Sequence, residues 1–352
     1  MRYLLFSFLT LSILFLARLE LSPAAVTPPL DEAMPVWKTL VHLGEMGPNH
    51  MTEVTDPARI EAGRKLVTEG FGEEGGKIQS KHFKCTSCHN IQREDPDLRV
   101  SDPEARLDYV VERDLPFLPG TTLWGIVNRS SFYNGDYEKK YGDLVFAARH
   151  DLRGAVQLCA TECAQGRALE KDEMENVIAY LWTLQYRLAD LDLSEETLQR
   201  LADISPQTDQ AEAEALREEI KAAYLPASPA TFLYPPEDRK AGYAESGDAR
   251  RGRLVYDASC LHCHQDMRYS YFDLDETGMS LKFMAKHFPE YTRYSSYQVI
   301  RYGTSPIPGK RAYMPHYTAE RMSNGQVEDL RAYVEGGPLK SEMIKRNSQG
   351  RR

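Results

Sequence analysis

The sequence predicts an all-α protein built from two similar helical units in tandem, joined by a helical linker. Three observations carry this. The pentapeptide Cys-x-x-Cys-His occurs twice, as Cys85-Thr86-Ser87-Cys88-His89 and as Cys260-Leu261-His262-Cys263-His264. A helix with a start signal precedes each copy, and an amphipathic helix follows each. Between the copies lies a polar stretch of helix formers punctuated by prolines.

At the N-terminus, Met1-Arg2-Tyr3 leads into an apolar run over residues 4–16, followed by Arg18 and Ala24-Ala25. A basic start, a short apolar stretch and small residues describe a secretory signal over residues 1–25. The run is shorter than the ~20 residues that span a bilayer. Pro23 spoils a clean Ala-x-Ala site, so an uncleaved anchor stays open as the alternative. No cysteine lies near this end, which rules out a lipid-bearing N-terminal cysteine.

The first unit covers residues 50–187. Asp56-Pro57 is a helix start, a cap followed by proline in the first turn. The helix runs through Ile60, Gly63, Leu66 and Val67. Gly70, Gly72, Gly75 and Gly76 separate it from Cys85. A long insert over residues 92–156 carries Pro116, Pro119 and an aromatic-rich stretch at 124–141. It reads as a cover over the edge of the site, or as a docking surface or substrate pocket. The last helix opens on Asp172 with Glu175, a capping-box pattern, and Met174, Val177, Ile178 and Leu181 recur at helical spacing.

The linker covers residues 188–246. Helical stretches at 194–201 and 210–225 predict a hairpin packed along both units. Pro226, Pro229, Pro235 and Pro236 then predict an extended strap. The second unit covers residues 247–337. Asp248 opens a helix through Gly252 and Val255. Ser323 with Gln326 opens the last helix, with Val327, Leu330 and Val334 as its stripe and Gly336-Gly337 as its stop. Glycine inside a helix costs ~1 kcal/mol against alanine. Its recurrence at Gly63 and Gly252 therefore predicts a close helix crossing in each unit. Ala179-Tyr180-Leu181 and Ala332-Tyr333-Val334 match in position. A basic tail over residues 338–352 (Lys340, Lys345, Arg346, Arg351, Arg352) ends the chain.

The pentapeptide suits covalent haem: two thiols on one turn reach the two porphyrin vinyl groups, and the next histidine ligates iron. The two copies use four of the six cysteines for one purpose. A zinc ribbon places its pairs close in sequence, and a thioredoxin-like pair needs a βαβ setting; neither fits. The expectation is two haem c groups, attached at Cys85, Cys88, Cys260 and Cys263, with His89 and His264 on the irons. Such haem is attached outside the cytoplasm, so the expected location is periplasmic or otherwise extracytoplasmic. Composition is that of an ordinary soluble protein, 42% hydrophobic and 27% charged. A formal net charge of -9 disfavours nucleic acid. Expected partners are redox proteins, with a membrane tether or a membrane complex as further possibilities.

The repeated order of helix, haem turn, loops and final helix resembles class I cytochrome c domains, over residues 55–187 and 247–337. The resemblance implies that first and last helices cross and that loops wrap the haem. In such domains a Met-Pro before the last helix supplies the sixth ligand. Met314-Pro315, after Tyr302-Gly303-Thr304, stands there, with Met279, Met284 and Met322 as weaker competitors. A His/Met iron suits electron transfer.

The first unit has no methionine between His89 and Met174, and Met174 belongs to the core stripe. Its candidates for a sixth ligand are Cys159, Cys163 and His150. The segment Val156-Gln157-Leu158-Cys159, with Gly166-Arg167-Ala168-Leu169 and Glu173-Met174, resembles the ligand segment of thiosulfate dehydrogenases and related sulfur-oxidising cytochromes. There a cysteine coordinates the catalytic haem, which puts Cys159 first. That family has a serine near Cys163, so which cysteine binds stays open; His150 would give a bis-histidine iron. A disulfide is the remaining reading. In an α-helix the two Cβ atoms stand ~5–6 Å apart where a bridge wants ~3.5–4.5 Å, so only a broken helix allows it. A thiolate would lower the potential of the first haem below the second.

Two classes of function follow. The chain is an electron-transfer cytochrome, alone or within a respiratory assembly; or it is an enzyme oxidising a small sulfur anion at the first haem. The second needs positive charge there, for which Arg129, Lys139, Lys140, Arg149, Arg153 and Arg167 are available. A dihaem peroxidase would need an iron that opens, and no residue demands one. Fold-level resemblance does not by itself carry an activity, so electron transfer is the expectation.

Overall fold

The computed structural model describes residues 31–52, 56–72, 76–205, 207–305 and 313–336. The expected signal at residues 1–25 and the basic tail at 338–352 lie outside these. Regular structure among the described residues is helical, with two isolated β-bridges, Pro35 to Arg187 and Ser131 to Ala227. The all-α expectation holds.

The chain opens with α1 (Val36–His42) and α2 (Pro57–Glu69). The Asp56 carboxylate accepts from the Ala58 N–H at 2.9 Å, the cap that Asp-Pro predicts. Helix α3 (Pro103–Glu112) starts the same way: Asp102 accepts from the N–H groups of Glu104 and Ala105. Short helices α4 (Asp136–Tyr141) and α5 (Asp143–Phe146) lead to α6 (Leu152–Leu158), which runs into a π turn at Cys159–Cys163. The last helix of the first unit is α7 (Lys171–Thr183). Its cap falls earlier than Asp172: the Glu173 carboxylate accepts from the Glu170 N–H at 2.9 Å. Glu175, the expected cap partner, instead takes a bidentate ion pair from Arg153.

The linker forms α8 (Glu195–Ala202) and α9 (Gln210–Ala222). The second unit comprises α10 (Ala249–Val255), α11 (Leu261–His264), α12 (Gly278–His287), α13 (Ser296–Tyr302) and α14 (Asn324–Gly336). The Ser323–Gln326 capping box is present in both directions, each bond at 2.9 Å.

In each unit the first and last helices cross where the glycines predict. A Cβ added to Gly63 would lie 1.9 Å from the Asn176 carbonyl oxygen of α7. One added to Gly252 would lie 1.8 Å from the Asp329 oxygen of α14. Both contacts are with rigid backbone, so Gly252→Ala must push the helices apart. We expect a loss of about 1–3 kcal/mol or more, read by urea denaturation; unchanged stability would mean that the crossing is looser than described.

Three cores result. Helices α2, α6 and α7 share one, with Leu66, Val67, Leu152, Val177, Ile178 and Leu181. Met174 is buried in it, as its place on the stripe predicts. A small bundle joins α1, α8 and α9 through Leu40, Leu201, Leu216 and Ile220 with Tyr186 and Leu188. This corrects the expected hairpin, which packs on α1 and the end of the first unit rather than along both units. The strap does span both. Its Pro226 and Ala230 carbonyls accept from Ser130 and Asp136, and Thr231 donates to Glu320.

The third core belongs to the second unit but borrows from the first. Leu107 and Val110 of α3, with Phe117, are wholly buried among Val255, Tyr256, Leu281, Val327 and Leu330. Arg106, also fully buried, donates to the carbonyls of Glu320 (2.8 Å) and Arg321. The Phe117 N–H donates to Ala258 O at 2.9 Å. Much of the insert is thus neither a cover nor an open docking surface. It is a clamp that completes the partner unit.

Candidate functional site

The two Cys-x-x-Cys-His turns are built differently. Cys85–Ser87 forms a 3-10 turn, held where the Lys84 N–H donates to Ser87 Oγ. In the second unit a π turn at Tyr256–Cys260 runs into α11, which carries His262, Cys263 and His264. All four motif cysteines are free thiols. Burial pushes Cys85 and Cys263 up to about 11 and Cys260 to about 12, so they stand as neutral thiols rather than reactive thiolates.

Both motif histidines are oriented in the same way. His89 Nδ1 meets the Thr121 carbonyl at 2.6 Å, and His264 Nδ1 meets the Phe272 carbonyl at 2.9 Å. A carbonyl only accepts, so Nδ1 carries the proton in each ring and Nε2 keeps its lone pair for a metal. Gly120 makes room for this beside the first motif: a Cβ there would lie 2.6 Å from the His89 ring and from the Cys88 carbonyl. Two free thiols, a histidine with its tautomer set, and Nε2 left without a partner are what a covalently held haem requires. Among the described residues no three His, Cys, Asp or Glu side chains converge as a zinc site would need.

Residues 247–334 match the family model described as "Cytochrome C oxidase, cbb3-type, subunit III". The second unit is a cytochrome c domain. Its motif residues are Cys260, Cys263 and His264, and it makes the chain an electron-carrying haem protein of the c type. No curated protein and no solved structure matches the chain.

Around the cytochrome c domain's haem turn, Met314 is half-buried against the shared core, and its loop is pinned by the Met314 N–H bond to Thr304 Oγ1 and the Thr304 N–H bond to Met314 O. Its competitors are placed elsewhere. Met279 is 82% exposed, whereas Met284 and Met322 are buried in the core.

On the first unit's side, the structure brings Cys159 and Cys163 to the neighbourhood of Cys85 and Cys88. The Ala164 N–H donates to Cys159 O at 2.7 Å, an i+5 bond that opens the helix into a π turn. Cys159 and Cys163 are both free thiols. The Tyr133 hydroxyl beside them donates to the Ala155 carbonyl at 3.2 Å. The neighbouring Cys159 thiol holds Cys163 below the usual thiol range against the effect of burial, whereas Cys163 and burial together push Cys159 well up. Tyr313 comes from the cytochrome c domain, next to Met314, and its ring meets Phe83 edge-on at 5.7 Å. His150 lies apart from this group: it is exposed, with Nδ1 turned to the Ser130 carbonyl.

The two motifs also face each other. Cys263 Sγ lies 4.0 Å from the Ser87 carbonyl oxygen, in the middle of the first motif. Nearby, the Tyr271 hydroxyl meets His82 Nδ1 at 3.1 Å across the same boundary.

Of the six cations that might attract an anion, four are held by carboxylates: Lys139 by Asp136, Arg149 by Glu138, Arg153 by Glu175 and Arg167 by Glu173. Arg129 is buried, beside Tyr186. Lys140 lies over the rings of Tyr141 and Phe232.

Sequence reasoning missed Tyr133, Tyr313 and Gly120, and the buried charges Glu94, Arg106 and Arg321. The Pro119-Gly120 turn was visible, but nothing in the sequence said that a histidine packs on it.

Proposed function

We propose that the chain is a dihaem c-type cytochrome that carries electrons between extracytoplasmic redox partners, as a free carrier or as a subunit of a respiratory complex. The observation that carries this is the 4.0 Å contact between Cys263 and the Ser87 carbonyl, which sets two equivalent attachment turns against each other. When bound, each haem carries one electron at its iron. The chain's part is to hold the two attachment sites in contact, through the α3 clamp and the strap, so that an electron crosses inside the protein.

Met314 is the proposed sixth ligand of the second iron. For the first, a sulfur of the π turn is proposed. Sequence resemblance puts Cys159 first, with Cys163 as the competitor, and both are free thiols. Cys159→Ala is then expected to change the absorption spectrum of one haem, and Cys163→Ala to change it less. The reverse order would move the ligand to Cys163.

Extracytoplasmic location rests on the N-terminal segment and the haem chemistry. Among the described residues no helix is long and apolar enough to cross a membrane.

The paired thiols keep a second reading in view, oxidation of a small sulfur anion such as thiosulfate at the first haem. The carboxylate pairing of Lys139, Arg149, Arg153 and Arg167 weighs against it, since their charges are already neutralised. Spectroelectrochemical titration tests the carrier reading: two one-electron steps are expected, the lower from the first unit. Tetrathionate formed from thiosulfate with haem reduction would replace it with the enzyme.

A further inference from the structure

The buried charges between the units lead back to a single peptide group. The Thr121–Thr122 peptide accepts His89 Nδ1–H on its carbonyl at 2.6 Å. Its N–H donates to Glu94 Oε1 at 2.8 Å. Glu94 is fully buried and takes two further bonds, from Asn90 Nδ2 at 2.9 Å and from Arg321 Nη1 at 2.7 Å. Arg321 belongs to the cytochrome c domain. Its Nε and Nη2 also grip the Leu118 carbonyl, at 3.1 and 2.8 Å. One unbroken chain therefore runs from a cation of one unit, through a carboxylate and a peptide, to the iron-binding histidine of the other.

Both ends of the ion pair are charged. Burial works to raise the Glu94 carboxyl, and the Arg321 guanidinium overrides it, holding Glu94 down at about 2. The other charged groups here are Asp95, Arg106 and Arg129. Arg106 is pushed down to about 9 by burial and then by Arg321.

We propose that Glu94 and Arg321 are positioning residues that set the potential of the first iron through His89. Hydrogen bonds in series polarise one another in a low-dielectric interior. An anion on the peptide N–H makes the peptide oxygen a stronger acceptor, which draws the Nδ1 proton away and makes Nε2 a better donor to iron. A stronger donor favours the ferric state. Glu94 therefore lowers the first potential, and Arg321 is what keeps it ionised to do so. The second unit, by docking, adjusts the iron of the first. This rests on the dihaem reading above.

The test is a redox titration of Glu94→Gln, Arg321→Gln and the double variant, on holoprotein with haem counted per chain. Glu94→Gln keeps an oxygen for the Thr122 N–H and is expected to raise the first potential. Arg321→Gln removes the cation that keeps the buried Glu94 ionised, so it is expected to raise the first potential as well, and Arg321→Lys to restore it in part. The double variant should match Glu94→Gln, with the second potential unmoved throughout. No shift in Glu94→Gln, or a fall in either single, would overturn the proposal while leaving two haems in place. One haem per wild-type chain would instead defeat the dihaem reading, and this proposal with it.

Discussion

Replacing Cys260 and Cys263 together by serine will leave the cytochrome c domain without its haem and unable to hold its native packing. The thiols are the proposed covalent anchors, and Cys260 is packed against the same core as Val255, Leu261, Tyr317 and Val334. A domain of this size has only about 5–15 kcal/mol of net stability. Taking the prosthetic group out of its apolar lining removes a large part of that. The loss should spread to α3, because Leu107, Val110 and Phe117 are buried in that domain's core. Hydrogen exchange is the measurement. We expect loss of protection over α10, α14 and α3 together, with the α2–α7 crossing retained. Retained protection in α3 would mean that the clamp stands without the domain it completes.

The second large effect is at Arg321. Arg321→Ala strips the partner from a carboxylate that has no solvent access. Removing one member of a buried pair typically costs 3–5 kcal/mol, because the remaining charge is left uncompensated. Arg321→Met should be milder when combined with Glu94→Gln, which removes the stranded charge. The pH dependence has a definite sign. The folded Glu94 value lies at about 2, below its ordinary 4.5. Its contribution is full above the ordinary value and fades as pH falls towards about 2. Urea denaturation between pH 6 and 3 should therefore show wild type losing stability on acidification more steeply than Glu94→Gln. Parallel curves would contradict the assignment.

Helix order, caps and crossings were legible because they are local. Asp56-Pro57, Asp248 and the Ser323–Gln326 box act within one turn, and Gly63 and Gly252 mark their crossings by the size of one side chain. The cap of α7 was misplaced because Glu170, Asp172, Glu173 and Glu175 offer several acidic pairs at helical spacing, and only packing chooses among them. The docking of α3 was not legible. An apolar face at Leu107 and Val110 says that the helix is covered, not which unit covers it. The Glu94–Arg321 pair joins residues in different units, and no local pattern signals it. The π turn hides for another reason: nothing in the residues around Cys159 and Cys163 tells an α-helix from one widened by the single i+5 bond from Ala164 to Cys159. The motif cysteines and histidines stood out by spacing alone, and the structure adds the carbonyl that meets Nδ1 of each histidine.

The most direct test of the account is mass spectrometry of peptides from the mature, exported protein. The account predicts a haem adduct on the peptide containing Cys85 and Cys88 and another on the peptide containing Cys260 and Cys263. An adduct on the second peptide alone, with Cys85 and Cys88 recovered as free thiols, would contradict it.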